Sequence, residues 1–250
     1  MRKFGIIGFP LGHSFSKKYF SEKFEKEKIN AVYQNYEISR LSDLQGILDD
    51  EPGLEGLNVT LPYKKEVIAL LDNIDSLAAE TGAVNVIKIS VREGSRFLSG
   101  YNTDITGFRS SLRPLLKKGD KKALVLGTGG AALAAARALR DLDIKVTFVS
   151  RTGKFNSLEY GELDRRLILE NKIIVNASPL GMYPETDHCP DIPYEYIGED
   201  HLLYDLVYNP AETLFLKKGK EKGARVSGGM EMLLAQADEA WTIWNSGIFI

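Results

Sequence analysis

The sequence predicts an α/β fold of two domains, and three observations support that prediction. Over roughly the first hundred residues, segments with the pattern of strands alternate with segments of helical pattern, which is typical of a mostly parallel sheet. A second alternating series begins at Lys121 with a short apolar run, a glycine turn and an alanine-rich segment. The polar break Lys117-Lys118-Gly119-Asp120 precedes this second series. We therefore expect the domain boundary near Asp104, ahead of the break.

Length and composition indicate a soluble globular chain. Its 250 residues give room for two domains with ample cores, and 44% hydrophobic and 26% charged residues are usual values. A formal net charge of -2 argues against a general surface for nucleic acid or anionic membranes. The single cysteine, Cys189, rules out an intrachain disulfide and suits a reducing compartment. No apolar run is long enough for a signal peptide or for a spanning helix of roughly 18 residues, so we expect a cytoplasmic chain.

In the first half of the chain, strands and helices follow one another in short segments. The expected strands are 4–7, 32–38, 56–59, 83–91 and 96–100. The expected helices are 17–28, 41–48, 64–71 and 105–116. Residues 32–38 alternate apolar and polar side chains as a half-buried strand does, and Glu93-Gly94 is a typical two-residue hairpin turn. Asn102-Thr103-Asp104 supplies a cap for the helix that follows it.

In the second half of the chain, four strands and three helices are expected. The expected strands are 123–126, 144–149, 173–177 and 202–207. The expected helices run from the glycine turn to about Arg140, from 211 to 222, and from Met230 to about Trp244. Gly223 is well placed to end the middle one of these helices, and the proline-rich segment 184–193 is expected to be a loop.

The glycine turn after the strand 123–126 has the spacing of a dinucleotide-binding fingerprint. Gly127 permits the tight turn, Gly129 lets the backbone approach a pyrophosphate, and Ala132 keeps the helix close to the strand. Gly130 and Ala131 open the helix, whose free N–H groups and dipole favour an anion. An ordinary crossover with small residues at the helix start is the alternative. The strands on both sides of the turn favour a nucleotide site.

The residues after the second strand of this unit indicate which cofactor it takes. An NAD site usually carries an acid there, to bind the ribose 2′-hydroxyl. The residues here are Ser150, Arg151, Thr152 and Lys154. Asp141 and Asp143 are near in sequence but precede the strand, at its wrong end. Two cations and two hydroxyls without an acid suit a 2′-phosphate, so we expect NADP.

Several further segments resemble the shikimate dehydrogenase family along essentially the whole chain. The matching segments are GFPLGHSFS from Gly8, NVTLPYK from Asn58, GAVN from Gly82, GYNTDITGF from Gly100, NASPLGM from Asn176, YDLVYNP from Tyr204 and GGMEMLLAQ from Gly228. The resemblance implies NADPH-dependent reduction of 3-dehydroshikimate to shikimate, a step of aromatic amino-acid biosynthesis. It also implies a substrate-binding domain, 1–103, joined by a C-terminal helix, 229–250, that returns to it. Residues 104–228 would form a Rossmann-like NADP-binding domain.

The resemblance assigns the substrate site to polar residues that otherwise have ordinary explanations. Lys64 would be the catalytic group beside the reacting oxygen. Without the resemblance it would be interpreted as an ordinary surface lysine. Asn85 and Asp104 would line the same site, and Asp104 could also cap a helix. Ser14 and Ser16 would bind the substrate carboxylate, where helix capping is the alternative. The remaining substrate-binding candidates are Asn58, Thr60, Tyr208 and Gln236.

The same resemblance assigns the nicotinamide end of the cofactor to Met182, Gly229 and Met232, with the apolar core as the alternative for Met232. One departure is Ser150, where the family commonly has Asn. The three histidines are scattered, so we expect no metal. Two other functions stay open: a quinate/shikimate dehydrogenase that uses NAD, and a non-catalytic NADP-binding protein. Retention of both Lys64 and Asp104 speaks against the second, and a monomer and a homodimer are both compatible with the sequence.

Overall fold

The computed structural model describes residues 1–12, 15–153 and 156–247. The chain forms two compact units. The first comprises Met1–Thr103 and Ala237–Ile250, and the second comprises Asp104–Gln236. Within the described residues, no helix has both the length and the apolar character needed to cross a membrane.

Eight α-helices occur in the described part of the chain, together with short 3₁₀ helices. The α-helices are α1 (Phe15–Lys26), α2 (Leu44–Asp50), α3 (Ser76–Thr81), α4 (Thr103–Leu112), α5 (Gly130–Asp141), α6 (Arg165–Glu170), α7 (Leu214–Glu221) and α8 (Met230–Asn245). The 3₁₀ helices are Leu41–Asp43, Glu66–Leu70, Arg113–Leu115, Tyr160–Glu162 and Tyr194–Tyr196.

The first unit is built on a six-stranded sheet. Its strands are β1 (Arg2–Gly8), β2 (Ala31–Glu37), β3 (Leu54–Val59), β4 (Asn73–Ile74), β5 (Val86–Arg92) and β6 (Ser95–Tyr101). They lie in the order β2-β1-β3-β5-β6-β4. Only β5 runs antiparallel to its neighbours, so the expected mostly parallel sheet is confirmed. The expected hairpin turn is also confirmed, since Glu93 and Gly94 have φ values of 51° and 81° between paired Arg92 and Ser95.

The helix expected over 64–71 is wrong. Residues 61–65 form turns, and a 3₁₀ helix follows at Glu66–Leu70. The physical reason is that the carbonyl of Lys64 accepts a hydrogen bond from Val84 N at 2.7 Å, which takes it out of a helical ladder. The turn after β3 is thereby fixed to the segment that leads into β5.

Two apolar clusters cover the two faces of the first sheet. Successive residues of a strand point to opposite faces, and Ile7 packs in one cluster while Ile6 and Phe4 pack in the other. The second cluster includes Trp244 of α8, whose ring lies 4.8 Å from that of Phe4 and whose Nε1 donates to Ile87 O at 3.0 Å. Trp241 packs against the same cluster. The expected return of the C-terminal helix to the first domain is therefore confirmed.

The second unit is built on a six-stranded parallel sheet. Its strands are β7 (Lys122–Leu126), β8 (Lys145–Ser150), β9 (Leu158–Glu159), β10 (Ile173–Asn176), β11 (Leu202–Asp205) and β12 (Arg225–Ser227). They lie in the order β12-β11-β10-β7-β8-β9. The order reverses direction between β7 and β10, as in the doubly wound dinucleotide-binding folds. In open sheets of this kind, ligands bind at the carboxyl ends of the strands beside such a reversal.

Helix ends in the second unit depart from expectation for local reasons. The helix expected over 105–116 ends as α4 at Leu112, where a 3₁₀ turn containing Pro114 begins. The helix expected from 211 begins at Leu214, because the Thr213 side chain caps it by accepting from Leu216 N. Gly223 follows α7 with a φ of 80°, as the sequence predicts. The segment 184–193 contains neither helix nor strand.

Candidate functional site

Three neighbouring strands of the second sheet end in one row. Leu126, Asn176 and Asp205 are paired in register at the carboxyl ends of β7, β10 and β11. Gly127 turns the chain out of the sheet with a φ of 123°, and its N–H donates to Val149 O at 2.8 Å. A Cβ at Gly127 would lie 2.9 Å from Ala177 O, so only glycine fits this turn.

The N-terminus of α5 follows the turn and has the features of an anion site. Gly129 is the N-cap and offers no side-chain acceptor, and the first turn carries no acidic residue. A Cβ at Gly129 would meet no atom within 4 Å, so there is open space beside this backbone. Gly130 and Ala131 are the first two residues of α5, and Ala132 is fully buried against the sheet. A helix N-terminus in this setting binds a phosphate through backbone N–H groups and its dipole.

The residues after β8 present a cation and hydroxyls. The Ser150 hydroxyl lies 2.7 Å from that of Ser157 and accepts from Thr152 N at 3.4 Å. Arg151 and Thr152 are exposed. Burial raises the pKa of Tyr160, and the positive charge of Arg151 opposes that rise. Lys154, which the sequence also assigns to this site, lies outside the described residues.

Glu159, an acid that lies beside this segment, is held in a local hydrogen-bond pattern. Gly153 packs on the side chain of Glu159, where a Cβ would lie 3.2 Å from a carboxylate oxygen. The Glu159 side chain accepts from the backbone of Glu162, and the Glu162 carboxylate accepts from Glu159 N at 2.6 Å. This reciprocal capping box uses both carboxylates to close a 3₁₀ turn. The end of β8 therefore fits a 2′-phosphate better than a 2′-hydroxyl.

A buried carboxylate that the sequence analysis did not single out lies at the end of β11. The side chain of Asp205 has no exposed surface, and it accepts hydrogen bonds from Asn176 Nδ2 at 3.0 Å, Val207 N at 3.0 Å and Thr213 Oγ1 at 2.5 Å. Burial raises the pKa of Asp205 to about 6, and the three hydrogen bonds oppose that rise. The residue belongs to the YDLVYNP segment that carries the family resemblance, which was the available signal for it.

Two exposed side chains lie on the segments that follow β10 and β11. Met182 and Tyr208 are 47% and 37% exposed. The segments are joined to each other, since Tyr183 N donates to Asn209 O at 3.0 Å. Gly229 packs so closely on the carbonyl of Leu206 that no side chain would fit there. These residues surround the same end of the second sheet as the glycine turn.

The first turns of α8 hold the other two candidates of this unit. Met232 is only 8% exposed, which agrees with an apolar-core role, and Gln236 is 7% exposed. The Gln236 amide donates to Leu233 O at 3.1 Å. Gly107 of α4 lets the two helices approach, because a Cβ there would lie 2.8 Å from Met232 O.

In the first unit, the predicted substrate-binding residues are linked by buried hydrogen bonds. Asn58, near the carboxyl end of β3, accepts from Tyr33 Oη at 2.6 Å and donates to Asn85 O at 3.4 Å. Asn85 accepts from Thr103 N at 2.7 Å and donates to Thr103 Oγ1 at 3.0 Å. The Tyr33 hydroxyl also interacts with the Ser16 side chain, and burial holds the pKa of Tyr33 well above its usual value.

Tyr33 is a second residue that the sequence analysis missed. It follows β1 and α1 in sequence and gives no local signal, because its partners Asn58 and Ser16 lie on β3 and α1. Ser16 is buried and is the second residue of α1, so it is not the N-cap, and Ser14 lies outside the described residues.

Thr60 and Lys64 lie in the turns beyond β3. Thr60 N donates to Ile7 O, and Thr60 O accepts from Tyr63 N, both at 3.0 Å. Lys64 is partly exposed, and its carbonyl is bonded to Val84 as described above. The backbone at the base of the Lys64 side chain is therefore held by the segment that leads into β5.

Asp104 is 8% exposed and occupies the first turn of α4. The helix begins at Thr103, so the expected N-cap role of Asp104 is wrong. A carboxylate in the first turn still interacts favourably with the helix dipole. Within the described ranges, no group of three or more His, Cys, Asp or Glu side chains could hold a metal ion.

The chain is similar to known proteins over nearly its whole length. Residues 6–87 match the family model described as the shikimate dehydrogenase substrate binding domain. The shikimate dehydrogenase (NADP(+)) of Carboxydothermus hydrogenoformans is 39% identical over 257 residues, covering 96% of this chain and 90% of that protein. The enzyme of the same name from Aquifex aeolicus is 39% identical over 254 residues, with 97% and 90% covered. The crystal structure of shikimate 5-dehydrogenase from Thermus thermophilus in complex with NADP(H) and shikimate superposes with a TM-score of 0.85 at 32% identity, covering 98% of this chain and 94% of that one.

Proposed function

Because the chain belongs to the shikimate dehydrogenase family, we propose that it catalyses the reversible, NADPH-dependent reduction of 3-dehydroshikimate to shikimate. The observation that carries this proposal is the similarity, over 96% or more of the chain, to enzymes named for that substrate and for NADP. The reaction belongs to aromatic amino-acid biosynthesis. The lone cysteine favours the reducing cytoplasm as its location.

The second unit binds the cofactor in this proposal. Gly127, Gly129, Gly130 and Ala131 supply the turn and the N–H groups for the pyrophosphate. Arg151, with Ser150, Thr152 and Lys154, binds the 2′-phosphate, for which a guanidinium gives charge-assisted hydrogen bonds. Met182, Gly229 and Met232 border the nicotinamide. Bound NADPH supplies the hydride.

The first unit recognises the substrate. Ser14 and Ser16 bind its carboxylate, and Asn58, Thr60 and Asn85 contact its hydroxyl groups, with Tyr208 and Gln236 contributed by later segments. Support comes from the buried hydrogen bonds of Asn58 and Asn85, which fix how each amide is turned. Side chains held in this way need little further ordering when the substrate binds.

Lys64 is the proton donor in the reductive direction. As the carbonyl carbon of 3-dehydroshikimate is reduced, negative charge develops on its oxygen, and an ammonium group can stabilise that charge and then protonate it. In the oxidative direction the same nitrogen receives the proton of the hydroxyl that is being oxidised. Asp104 accepts a hydrogen bond from a substrate hydroxyl and so orients the ring for this transfer.

A steady-state assay with shikimate and quinate, each with NADP+ and NAD+, tests the proposal. We expect high kcat/KM only for shikimate with NADP+. Preference for quinate or for NAD+ would instead indicate the quinate/shikimate branch of the family. A pure protein that binds NADP+ and oxidises neither alcohol would contradict the enzymatic proposal.

A further inference from the structure

We propose that Asp205 is a positioning residue for the nicotinamide end of NADP, because it ties the segment that carries Met182 to the segment that follows β11. The inference rests on the proposed function. The first segment, 176–183, follows β10 and carries Met182. The second segment, 205–213, follows β11 and carries Tyr208.

The surroundings of Asp205 are unusual for a residue that serves stability alone. Its carboxylate is fully buried, and the three groups bonded to it are neutral donors. No lysine, arginine or histidine in the described part of the chain forms an ion pair with it. Burial of an ionised carboxylate without a cation is costly, and an apolar residue would stabilise a core more. A buried acid at the carboxyl end of a strand, where open sheets of this kind bind ligands, is typical of a functional position.

The first consequence concerns Asn176. An ionised carboxylate can only accept hydrogen bonds, so Asn176 must turn its amide nitrogen toward Asp205. The amide oxygen of Asn176 then faces Ser178, from which it accepts two hydrogen bonds, one from N at 3.1 Å and one from Oγ at 2.6 Å. The same amide nitrogen also donates to Leu180 O at 3.2 Å. The segment after β10 is therefore hydrogen-bonded to the Asn176 side chain, and Asp205 determines the orientation of that side chain.

The second consequence concerns the segment after β11. Asp205 Oδ2 accepts from Thr213, and Asp205 Oδ1 accepts from Val207 N, so both ends of segment 205–213 are tied to one carboxylate. Gly181 packs on Thr213, where a Cβ would lie 3.4 Å from the Thr213 Cβ. With the Tyr183 to Asn209 hydrogen bond, the two segments are joined at three places. Asp205 forms the first of these connections through its hydrogen bond with Asn176, and it holds Thr213, which forms the second.

The substitution Asp205→Asn keeps the shape and removes the charge. An amide accepts through one oxygen only, so at least one of the three donors loses its acceptor. The full-length wild type and Asp205→Asn are titrated calorimetrically with NADP+ and with adenosine 2′,5′-bisphosphate, which lacks the nicotinamide half. We expect the Kd for NADP+ to rise about 10- to 100-fold, as for a small misplacement of a binding group, and kcat to fall. The Kd for the bisphosphate should stay at the wild-type value, because its phosphates bind at α5 and Arg151.

Asp120→Asn is the matched control. Asp120 is also a buried carboxylate of the second unit, but it precedes β7 and so lies at the other end of the strands. It accepts from Lys117 N at 2.7 Å and from Arg225 Nη2 at 3.1 Å. Its replacement should lower the stability of the protein and leave both Kd values unchanged.

Two results would overturn the role of Asp205. One is an Asp205→Asn protein with wild-type NADP+ affinity and kcat, and the other is equal weakening of both ligands, which would show general damage to the unit. If Asp205→Asn does not fold, Thr213→Val is titrated with the same two ligands, since it removes the donor to Asp205, together with the cap of α7, at nearly constant shape. A wild type that binds NADP+ but does not oxidise shikimate would contradict the proposed function and leave the binding comparison intact.

Discussion

In the proposed cofactor site, Arg151 is the side chain that chiefly distinguishes NADP from NAD. Replacing it by alanine removes the charge-assisted contact proposed for the 2′-phosphate, which is worth about 1.5–3 kcal/mol. We therefore expect Arg151→Ala to raise the KM for NADP+ roughly 10- to 100-fold while the use of NAD+ hardly changes. Arg113→Ala, at another exposed arginine of the same unit, is the control and should alter neither KM. A wild type that already prefers NAD+ would contradict both this prediction and the NADP assignment.

Substitutions of Lys64 and Asp104 test the proposed chemical step. Lys64→Ala should lower kcat by roughly 10²- to 10⁴-fold with little change in KM, as loss of acid–base help usually does. Asp104→Asn should lower kcat by a smaller factor if Asp104 serves only to orient the substrate. The double variant should lose less than the product of the two effects, because both residues act on one step in the proposed mechanism. Lys65→Ala, at the exposed neighbouring lysine, should keep wild-type kcat. Near-normal kcat in Lys64→Ala would remove Lys64 from the mechanism.

The raised pKa of Asp205 predicts that the stability of the folded protein depends on pH. Its pKa is about 6 in the folded protein against 3.8 as the ordinary value, so the folded state binds the proton more tightly than the unfolded state does. The stability contributed by the protonated form is therefore lost as the pH rises through 6. Between pH 5 and pH 7 the wild type should lose about 1 kcal/mol of unfolding free energy relative to Asp205→Asn. Urea unfolding of both proteins at the two pH values measures this difference. An equal pH dependence would contradict the raised pKa.

At the scale of elements, the contact between α8 and β3 has a steric requirement. Gly56 lies under the indole of Trp244, and a Cβ there would overlap the ring. Gly56→Ala should therefore lower the free energy of unfolding by about 1–3 kcal/mol, the usual cost of overpacking a core. Gly46→Ala in α2 is the opposite case, since its Cβ would meet nothing within 4 Å and alanine favours a helix. Urea denaturation should show the first variant destabilised and the second unchanged or slightly more stable.

The sequence predicted long elements well and short ones poorly. β9 and β4 have two residues each, and α3 and α6 have six, too few for a periodic pattern to be recognised. α3 nevertheless has clear end signals, since Asp75 caps it by accepting from Leu77 N and Gly82 closes it with a φ of 59°. These two residues indicate where α3 begins and ends, although the sequence between them is too short to show a helical pattern.

The candidate site was predictable where its chemistry is local and not where it depends on partners distant in sequence. The glycine turn and the segment after β8 are contiguous, and the structure has the expected strand, turn, helix and strand there. Tyr33 and Asp205 were missed because their partners lie on other strands, such as Asn58 on β3 and Asn176 on β10. No short segment of the sequence contains both members of such a hydrogen-bonded pair.

For the whole molecule, the first unit is assembled from two separate parts of the chain. Residues Ala237, Ala240 and Trp244 belong to the apolar cluster that contains Phe4 and Phe20. A chain ending at Gly229 should therefore lose shikimate oxidation, since this cluster loses one of its walls. The second unit keeps its sheet in that chain, so some NADP+ binding should remain, as calorimetry would measure. Full activity of the shortened chain would show that α8 is not needed.

The two tryptophans of the chain also supply an optical probe. Trp241 and Trp244 are the only ones in the sequence, and both lie in the first unit, packed around Phe4. Indole emission therefore reports the folding of the first unit alone, whereas far-ultraviolet dichroism reports both sheets. Comparing the two signals along one denaturation curve would reveal whether the two units unfold as a single cooperative body or one after the other.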